Sequence, residues 1–136
     1  MGVNRVKAKG RREGGPFVPI PLSVLSHPNY VALTAKSVKL LNDLLAQMRF
    51  GKDGASNNGD LSIAWSIMSK RGWKSKQTLR NACAELEDRG FIKQTRQGGR
   101  HKCSLYAITW WAINDCGGKL DVPETRAPSN EWKNSS

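Results

Sequence analysis

The chain has 136 residues, 38% of them apolar, which is the size of one domain with a modest hydrophobic core. Its formal charge of +11 favours a polyanionic partner, because a basic surface attracts phosphate groups over long distances. No apolar run approaches the roughly 20 residues of a membrane-spanning helix, and no apolar segment follows the basic N-terminus as it would in a signal peptide. We therefore predict a cytoplasmic protein without a membrane partner.

The N-terminal residues 1–15 form a basic segment that has almost nothing to bury. We predict a disordered arm, because such a composition cannot offset the entropy lost on ordering. Two interpretations stay open, a solubilising tail or an arm that follows a DNA backbone or enters a minor groove. The cations of this arm are Arg5, Lys7, Lys9, Arg11 and Arg12.

The prolines of segment 16–21 predict an extended entry into the domain, because proline excludes a regular helix and restricts the residue before it. Leu22–Leu25 can then form one helical turn ahead of Pro28. The apolar residues between the prolines are expected to dock on the core, and they are Phe17, Val18 and Ile20.

The sequence AKSVKLLNDLLAQM predicts an amphipathic helix that serves as the scaffold of the domain. Thr34 is a suitable N-cap, since its hydroxyl can accept a hydrogen bond from a free backbone amide. The segment GKDGASNNGD that follows consists of turn formers and predicts a mobile surface loop. The apolar stripe of the helix comprises Val38, Leu41, Leu44, Leu45 and Met48.

A short helix, a glycine turn and a longer basic helix come next. The pattern LSIAWSIMSKRG places Ile63, Ile67 and Met68 at helical spacing and ends at Gly72, a residue that accepts left-handed backbone. Ser75 is the expected N-cap of the second helix, KQTLRNACAELEDRG. The second helix would bury Leu79, Ala82, Cys83 and Leu86.

The opposite face of this second helix carries hydrogen-bond donors and no acidic residue. Such a face is suited to a major groove, where Arg80 or Lys76 could contact guanine and Gln77 or Asn81 could contact adenine. A solvated face without a ligand is the alternative interpretation. The candidate DNA contacts on and just before this helix are Lys74, Ser75, Lys76, Gln77, Thr78, Arg80 and Asn81.

After Gly90 the apolar period changes from that of a helix to that of a strand. The runs FIKQTR and HKCSLYAIT alternate on either side of the turn QGGR, so they predict a β-hairpin. Its glycine tip with flanking cations suits contact with phosphates or a minor groove. His101 and Cys103 share a strand face, which leaves a thiolate–imidazole pair or half of a metal site as an alternative. The candidate contacts of the hairpin are Arg96, Gln97, Arg100, His101 and Lys102.

We predict that the domain spans residues 16–115 and that residues 116–136 form a flexible polar tail. Trp132 lies in this tail, where an exposed ring is expected and docking on the domain or a partner is the alternative. The adjacent Trp110 and Trp111 should point to opposite faces of the second hairpin strand, so both rings cannot enter the same core. One interpretation is a three-layer core with both rings partly buried, and the alternative is that one ring anchors a homodimer.

Catalytic chemistry finds little support in the sequence. Asp53 and Asp60 share one loop, but a metal-dependent nuclease needs several converging carboxylates. The chain lacks a GxxxxGK[ST] segment, which argues against an NTPase. Cysteines 83, 103 and 116 lack the CxxC spacing of a zinc site, and we expect reduced thiols. We therefore predict no enzyme activity, no metal and no cofactor.

Taken together, these residues resemble the winged helix-turn-helix domains of bacteriophage and plasmid DNA-binding proteins, including replication-associated and regulatory proteins. The resemblance covers about residues 17–113 and is carried by FVPIPLSVLSHPNYVALTAKSVKLLNDLL, NNGDLS, RGWKSKQTLRNACAELEDRGFIKQTRQGG and LYAITWWAI. It implies an α+β fold with a three-helix core and a β-hairpin wing, in which the helix after Ser75 is the recognition helix. Lys74 departs from the pattern, because it is inserted between Trp73 and Ser75 and leaves the tilt of that helix open.

The function that this resemblance implies is sequence-specific binding of double-stranded DNA in the cytoplasm of a bacterial host cell. The protein would belong to a phage or mobile element and act in transcription regulation or replication. The alternative is a winged-helix factor that binds protein, for example a phage protein that inhibits a host nucleoprotein or defence complex. An RNA binder is disfavoured, because the predicted strands lack exposed aromatic residues for base stacking.

Overall fold

The computed structural model describes residues 13–134 and shows a mixed α+β fold. The cations of the predicted N-terminal arm, Arg5 to Arg12, lie outside the described residues. No helix among the described residues combines the length and the apolar character needed to cross a bilayer.

Two one-turn helices precede the scaffold helix, α1 at Leu22–Leu25 and α2 at Pro28–Val31. The helical turn predicted after the prolines is therefore confirmed. Val18 and Ile20 pack against the core as predicted. The predicted docking of Phe17 is wrong, because 64% of this residue is exposed.

The scaffold helix α3 spans Ala35–Leu45, and the predicted N-cap is confirmed, because the Thr34 side chain accepts a hydrogen bond from the Ser37 amide. It packs against the other long helix of the fold, which follows Ser75. Val38 is only half-buried. The fully or nearly buried apolar residues in and just after α3 are Leu40, Leu41, Leu44, Leu45 and Met48.

The segment predicted as a mobile loop is built into the domain. Strands β1 (Phe50–Gly51) and β2 (Gly54–Ala55) form a small antiparallel hairpin. Asn58 is fully buried, and its carboxamide donates to the carbonyl of Ile108 at 2.9 Å and accepts from the amide of Ile108 at 2.8 Å. Hydrogen bonds from this buried side chain to distant backbone help to fix the segment, and a turn-forming composition does not reveal them.

The helix predicted from Leu61 begins later than expected. Leu61–Ser62 is strand β3, and α4 spans only Trp65–Met68 before a 3-10 turn at Ser69–Arg71. The helical spacing was misleading at this point, because Leu61 is buried by pairing with a strand and not by a helix face. Ile67 is 37% exposed and therefore lies off the core side on which it was predicted.

The second helix of this pair, α5, spans Lys76–Asp88. The predicted N-cap is confirmed, since the Ser75 side chain accepts from the Thr78 amide at 3.2 Å. Gly72 has a φ of 91°, which confirms the predicted left-handed turn after α4. The predicted inner face is also confirmed, and its members Leu79, Ala82, Cys83 and Leu86 are buried.

The hairpin after Gly90 is present, with β4 at Ile92–Arg96 and β5 at Leu105–Ile108. The three-stranded antiparallel sheet has the order β3-β5-β4. The second strand begins at Leu105 and not at the predicted His101. An isolated bridge between Gly99 and Lys102 closes the tip instead.

The C-terminal segment differs most from its prediction as a flexible tail with an exposed tryptophan. Trp132 is 3% exposed, and its ring makes an edge contact with His27 at 5.3 Å between centroids. Asn29 donates from Nδ2 to the carbonyls of Trp132 at 2.9 Å and of Asn134 at 2.7 Å. Gly90, with a φ of 81°, lets the backbone of Glu131 approach so closely that a Cβ would collide with it. The C-terminal segment, although polar in composition, is thus held on the domain by the buried Trp132 ring and by hydrogen bonds from Asn29 to its backbone.

Replacement of Trp132 by Ala should lower the free energy of unfolding by about 3–5 kcal/mol, because a large ring is lost from a packed site. Urea unfolding followed by circular dichroism measures this loss. Leu22→Ala is the control, since Leu22 is 77% exposed, and should change stability by no more than about 0.5 kcal/mol. Equal stability of the two variants would contradict the docked arrangement.

Candidate nucleic-acid interface

The outer face of α5 is open to solvent along the part of the helix that carries the predicted contacts. Thr78 is half-buried. No acidic residue occurs between positions 74 and 84, so no side chain of this stretch neutralises the cations. The exposed members of the face are Lys74, Ser75, Lys76, Gln77, Arg80 and Asn81.

Aromatic rings lie under the cations at the start of this face. The Lys76 ammonium is 5.8 Å from the centroid of the Trp65 ring. On the neighbouring helix, the ammoniums of Lys36 and Lys39 lie 5.8 Å and 5.5 Å from the Trp73 ring. Such contacts stabilise a cation near an apolar surface. The Lys39 ammonium also donates to the Arg71 carbonyl at 2.7 Å. The positive surface therefore extends from α3 across the turn to α5.

Asp43 anchors the turn that precedes α5. Its carboxylate accepts from Trp73 Nε1 at 2.7 Å, from Arg71 Nε at 2.8 Å and from Lys39 Nζ at 3.2 Å. Burial alone would raise the pKa of Asp43, but these hydrogen bonds outweigh it and hold the pKa below its ordinary value of 3.8. Trp73 is 3% exposed and holds the turn to the core. The inserted Lys74 follows it and is exposed, so the insertion lies on the surface of the turn.

Glu85 fixes α5 to the first turn of α3. Its carboxylate accepts from the Thr34 hydroxyl at 2.8 Å, from the Thr34 amide at 3.1 Å and from the Ser37 hydroxyl. Burial by itself would raise the pKa of Glu85, but the hydrogen bonds from Ser37 and Thr34 bring it below its ordinary value of 4.5. This acid therefore faces the scaffold helix, so the exposed residues of the first turns of α5 include no carboxylate. The exposed Glu87 and Asp88 lie at the C-terminal end of the helix.

The hairpin tip presents Gln97, Arg100, His101 and Lys102 to solvent. Arg96 differs from them, because it is half-buried and its guanidinium donates to the Cys103 carbonyl at 2.8 Å. Arg96 thus braces the hairpin from within. The Gly98 amide donates to Ser104 Oγ at 2.9 Å, which further closes the tip.

The residues considered for catalysis are dispersed. Asp60 pairs with Lys119 at 2.9 Å, and Asp53 is exposed on the hairpin of β1 and β2. Cys103 Sγ lies 3.4 Å from Ser62 Oγ. Among residues 13–134, no three His, Cys, Asp or Glu side chains form a group that could hold a metal ion. All three cysteines are free, and burial raises the pKa of Cys83 to about 11.

The predicted orientation of the adjacent tryptophans is wrong. Strand β5 ends at Ile108, so Trp110 and Trp111 follow it in a turn and do not alternate between the faces of a strand. Their ring centroids are 5.4 Å apart, and Trp110 is 7% exposed. Trp111 is half-buried against Phe50. The alternation of strand faces therefore does not support a homodimer, which stays a prediction.

Sequence reasoning missed the two carboxylates that position α5, although one signal was available. Asp43 falls among the buried residues of α3, four positions after Lys39, and a charge at such a position requires partners. Glu85 gave no comparable signal, because its partners are distant in sequence.

Comparison with known proteins gives no matching family model, no matching curated protein and no matching solved structure. The resemblance described above therefore depends on the residues of this chain alone.

Replacement of Asp43 by Asn should lower the free energy of unfolding by about 1–3 kcal/mol at neutral pH, because hydrogen bonds to a charged group are lost. A carboxyl whose pKa is depressed by folding stabilises the protein above its unfolded pKa, and this contribution disappears as pH falls through the folded pKa. The difference between wild type and variant should therefore be constant from about pH 5 to 8 and should shrink below about pH 4.

Urea unfolding at several pH values checks this prediction. Glu85 is present in both proteins, so its own titration cancels in the difference. Asp53→Asn is the control, because Asp53 is exposed. A deficit of the Asp43 variant that is independent of pH would contradict the proposed role of its charge.

Proposed function

We propose that this protein is a winged helix-turn-helix protein that binds double-stranded DNA. In this proposal α5 is the recognition helix, and the hairpin of β4 and β5 is the wing. The order of elements supports the fold, since the helices α3, α4 and α5 are followed directly by a β-hairpin. The tight left-handed turn at Gly72 between α4 and α5 is a further supporting feature.

The observation that carries the proposal is the uncovered donor face in the first turns of α5, where residues 74–84 include no acid, together with the basic hairpin that follows the helix in the chain. At about 1.5 Å per residue, the 13 residues of α5 measure about 20 Å. A helix fits a major groove roughly 12 Å wide. The carboxylates of Asp43 and Glu85 hold the helix from its inner side, so its outer side can meet a duplex without rearrangement of the core.

The contacts divide into two kinds. Lys76, Arg80 and their neighbours would reach base edges and phosphates from α5, because guanidinium and ammonium groups serve both. Arg100 and Lys102 would bind phosphates from the wing without reading sequence. The net charge of +11 favours the approach of a polyanion and makes binding dependent on salt.

The biological role that we propose is regulation of transcription or accessory work in replication for a phage or mobile element. This part of the proposal depends on the resemblance of the chain to such proteins. The basic N-terminal arm and the homodimer stay predictions within it.

Wild-type protein should bind a random-sequence duplex at low salt, and its affinity should fall steeply between about 50 and 200 mM salt. The log–log slope should be about −0.9 for each phosphate neutralised. In the double variant Arg100→Ala/Lys102→Ala, the magnitude of this slope should fall by about 2. Fluorescence anisotropy of a labelled duplex measures both quantities.

Lys93→Ala serves as the matched control for this experiment. Lys93 is exposed on β4, and its ammonium lies 4.0 Å from Glu131 on the C-terminal segment, not on the hairpin tip. Its loss should leave the salt slope unchanged. The absence of duplex binding at low salt would refute the proposed function, and equal slopes in all variants would refute the role of the wing.

Arg80→Ala should separate sequence reading from general affinity. If Arg80 contacts a base, its loss should weaken binding to a selected site by about 1–3 kcal/mol. Binding to random duplex should change much less. Lys102→Ala should weaken binding to both duplexes alike, because a phosphate contact is insensitive to sequence. Parallel titrations of the two duplexes test the distinction, and parallel losses in the Arg80 variant would contradict it.

A further inference from the structure

Three side chains on the outer face of α5 form a hydrogen-bonded array, which we call the Arg80 array: Arg80, Gln77 and Asn81. Arg80 Nη2 donates to Gln77 Oε1 at 2.9 Å. Gln77 Nε2 in turn donates to Asn81 Oδ1 at 2.9 Å. The residues are three and four positions apart, so the helix itself places them side by side.

The chemistry of Arg80 fixes the orientation of both amides. A guanidinium can only donate hydrogen bonds. The Gln77 oxygen must therefore face Arg80, and the Gln77 nitrogen must face Asn81. Asn81 can accept this bond only through its oxygen, so its own nitrogen points away from Gln77. Each orientation follows from the preceding one without reference to a ligand.

The array consequently offers more donors than acceptors to the outside. Each amide oxygen already uses one of its two lone pairs within the array. The donors that stay available are the other N–H groups of Arg80, the Asn81 Nδ2 hydrogens and the second Nε2 hydrogen of Gln77, against one remaining lone pair on each amide oxygen. The neighbouring Lys76 adds an ammonium, which is also only a donor. The Ser75 oxygen accepts from the Thr78 amide as the helix cap.

The four bases differ in what they offer to such a surface in the major groove. Guanine presents two acceptors, N7 and O6, whereas adenine presents an acceptor beside a donor. Cytosine presents a donor, and thymine presents one acceptor next to a methyl group. To read adenine, Asn81 or Gln77 would have to donate and accept at once with the same amide. Each of their oxygens has one lone pair left, and the array keeps more donors than acceptors, so the two acceptors of guanine match it better than the mixed edge of adenine.

We propose that the Arg80 array reads guanine in the major groove of duplex DNA. Arg80 contacts O6 and N7 of one guanine, and Asn81 donates to the acceptor edge of a neighbouring guanine. This inference rests on the proposed DNA-binding function and names the sequence class that the helix selects. It also assigns Gln77 a positioning role, because Gln77 accepts a hydrogen bond from Arg80 and donates one to Asn81.

The first test selects bound fragments from a pool of random duplexes and then modifies the guanines of the enriched site. In 7-deazaguanine the N7 acceptor is lost, and each replacement at a contacted position should weaken binding by about 5- to 150-fold. Inosine is the matched control, because it keeps O6 and N7 and loses only the minor-groove amino group. Inosine should change the affinity by no more than about twofold.

The second test reverses the outward group of Asn81. Asn81→Asp keeps an oxygen to accept from Gln77 and replaces the outward donor with an acceptor. Selection with this variant should lose guanine at one position of the site, while the guanine under Arg80 is retained. Asn42→Asp is the control, because Asn42 is exposed on α3 and receives the same change of charge. It should select the same site as wild type, and circular dichroism should show both variants folded.

The outcomes separate the inference from the function on which it rests. If wild-type protein binds no duplex at low salt, both the proposed DNA-binding function and the proposed guanine contact of the Arg80 array are refuted. If it binds duplex with a steep salt dependence but enriches no guanine, only the proposed guanine contact is refuted. The same holds if 7-deazaguanine at the enriched positions leaves the affinity unchanged. In either case the array contacts phosphate or a base other than guanine. If Asn81→Asp selects the wild-type site unchanged, the contact assigned to Asn81 is overturned.

Discussion

The presentation of α5 depends on one buried carboxylate. Asp43 gathers Trp73, Arg71 and Lys39 around its two oxygens, and so ties the turn before α5 to the scaffold helix. A buried charge is stable only when its hydrogen-bonding capacity is filled, so the three partners have little freedom to move apart. This cluster therefore fixes the position of the backbone from which the exposed residues after Trp73 extend. A helix that must dock in a groove needs such a fixed base, since a loosely held helix would lose orientation entropy on binding.

The domain separates its charges by the side of the helix on which they lie. Glu85 points inward and accepts hydrogen bonds from Thr34 and Ser37, whereas the outward residues of the first turns are donors and cations. The inner carboxylates thus stabilise the packing of α3 against α5 and do not lie on the outward side of these turns. In the Arg80 array, each amide oxygen accepts from a neighbouring N–H group, Gln77 Oε1 from Arg80 and Asn81 Oδ1 from Gln77, so donors outnumber acceptors among the groups that stay available.

Polar side chains also hold the segments that lack regular structure. Asn58 bridges the loop before β3 to the end of β5, and Asn29 holds the backbone around Trp132. Each replaces a stretch of missing sheet or helix hydrogen bonds with bonds from one buried carboxamide. The Asp121 carboxylate accepts from the Gln97 amide at 2.8 Å, so the C-terminal segment also supports the base of the hairpin tip. The hairpin of β4 and β5 is therefore held by the C-terminal segment as well as by the Arg96 guanidinium.

The sequence alone determined the features that depend on neighbours along the chain. These are the caps at Thr34 and Ser75, the left-handed turn at Gly72, the inner and outer faces of α5, and the existence of the hairpin. Local hydrogen bonds and periodicity set all of them, and both are visible in a short window of residues. Tertiary structure decided what depends on distant partners: the strand at Leu61, the burial of Asn58 and Trp132, and the anchoring of Asp43 and Glu85. Those outcomes follow from desolvation and from hydrogen bonds between residues far apart in sequence, and no local pattern encodes which distant groups will meet.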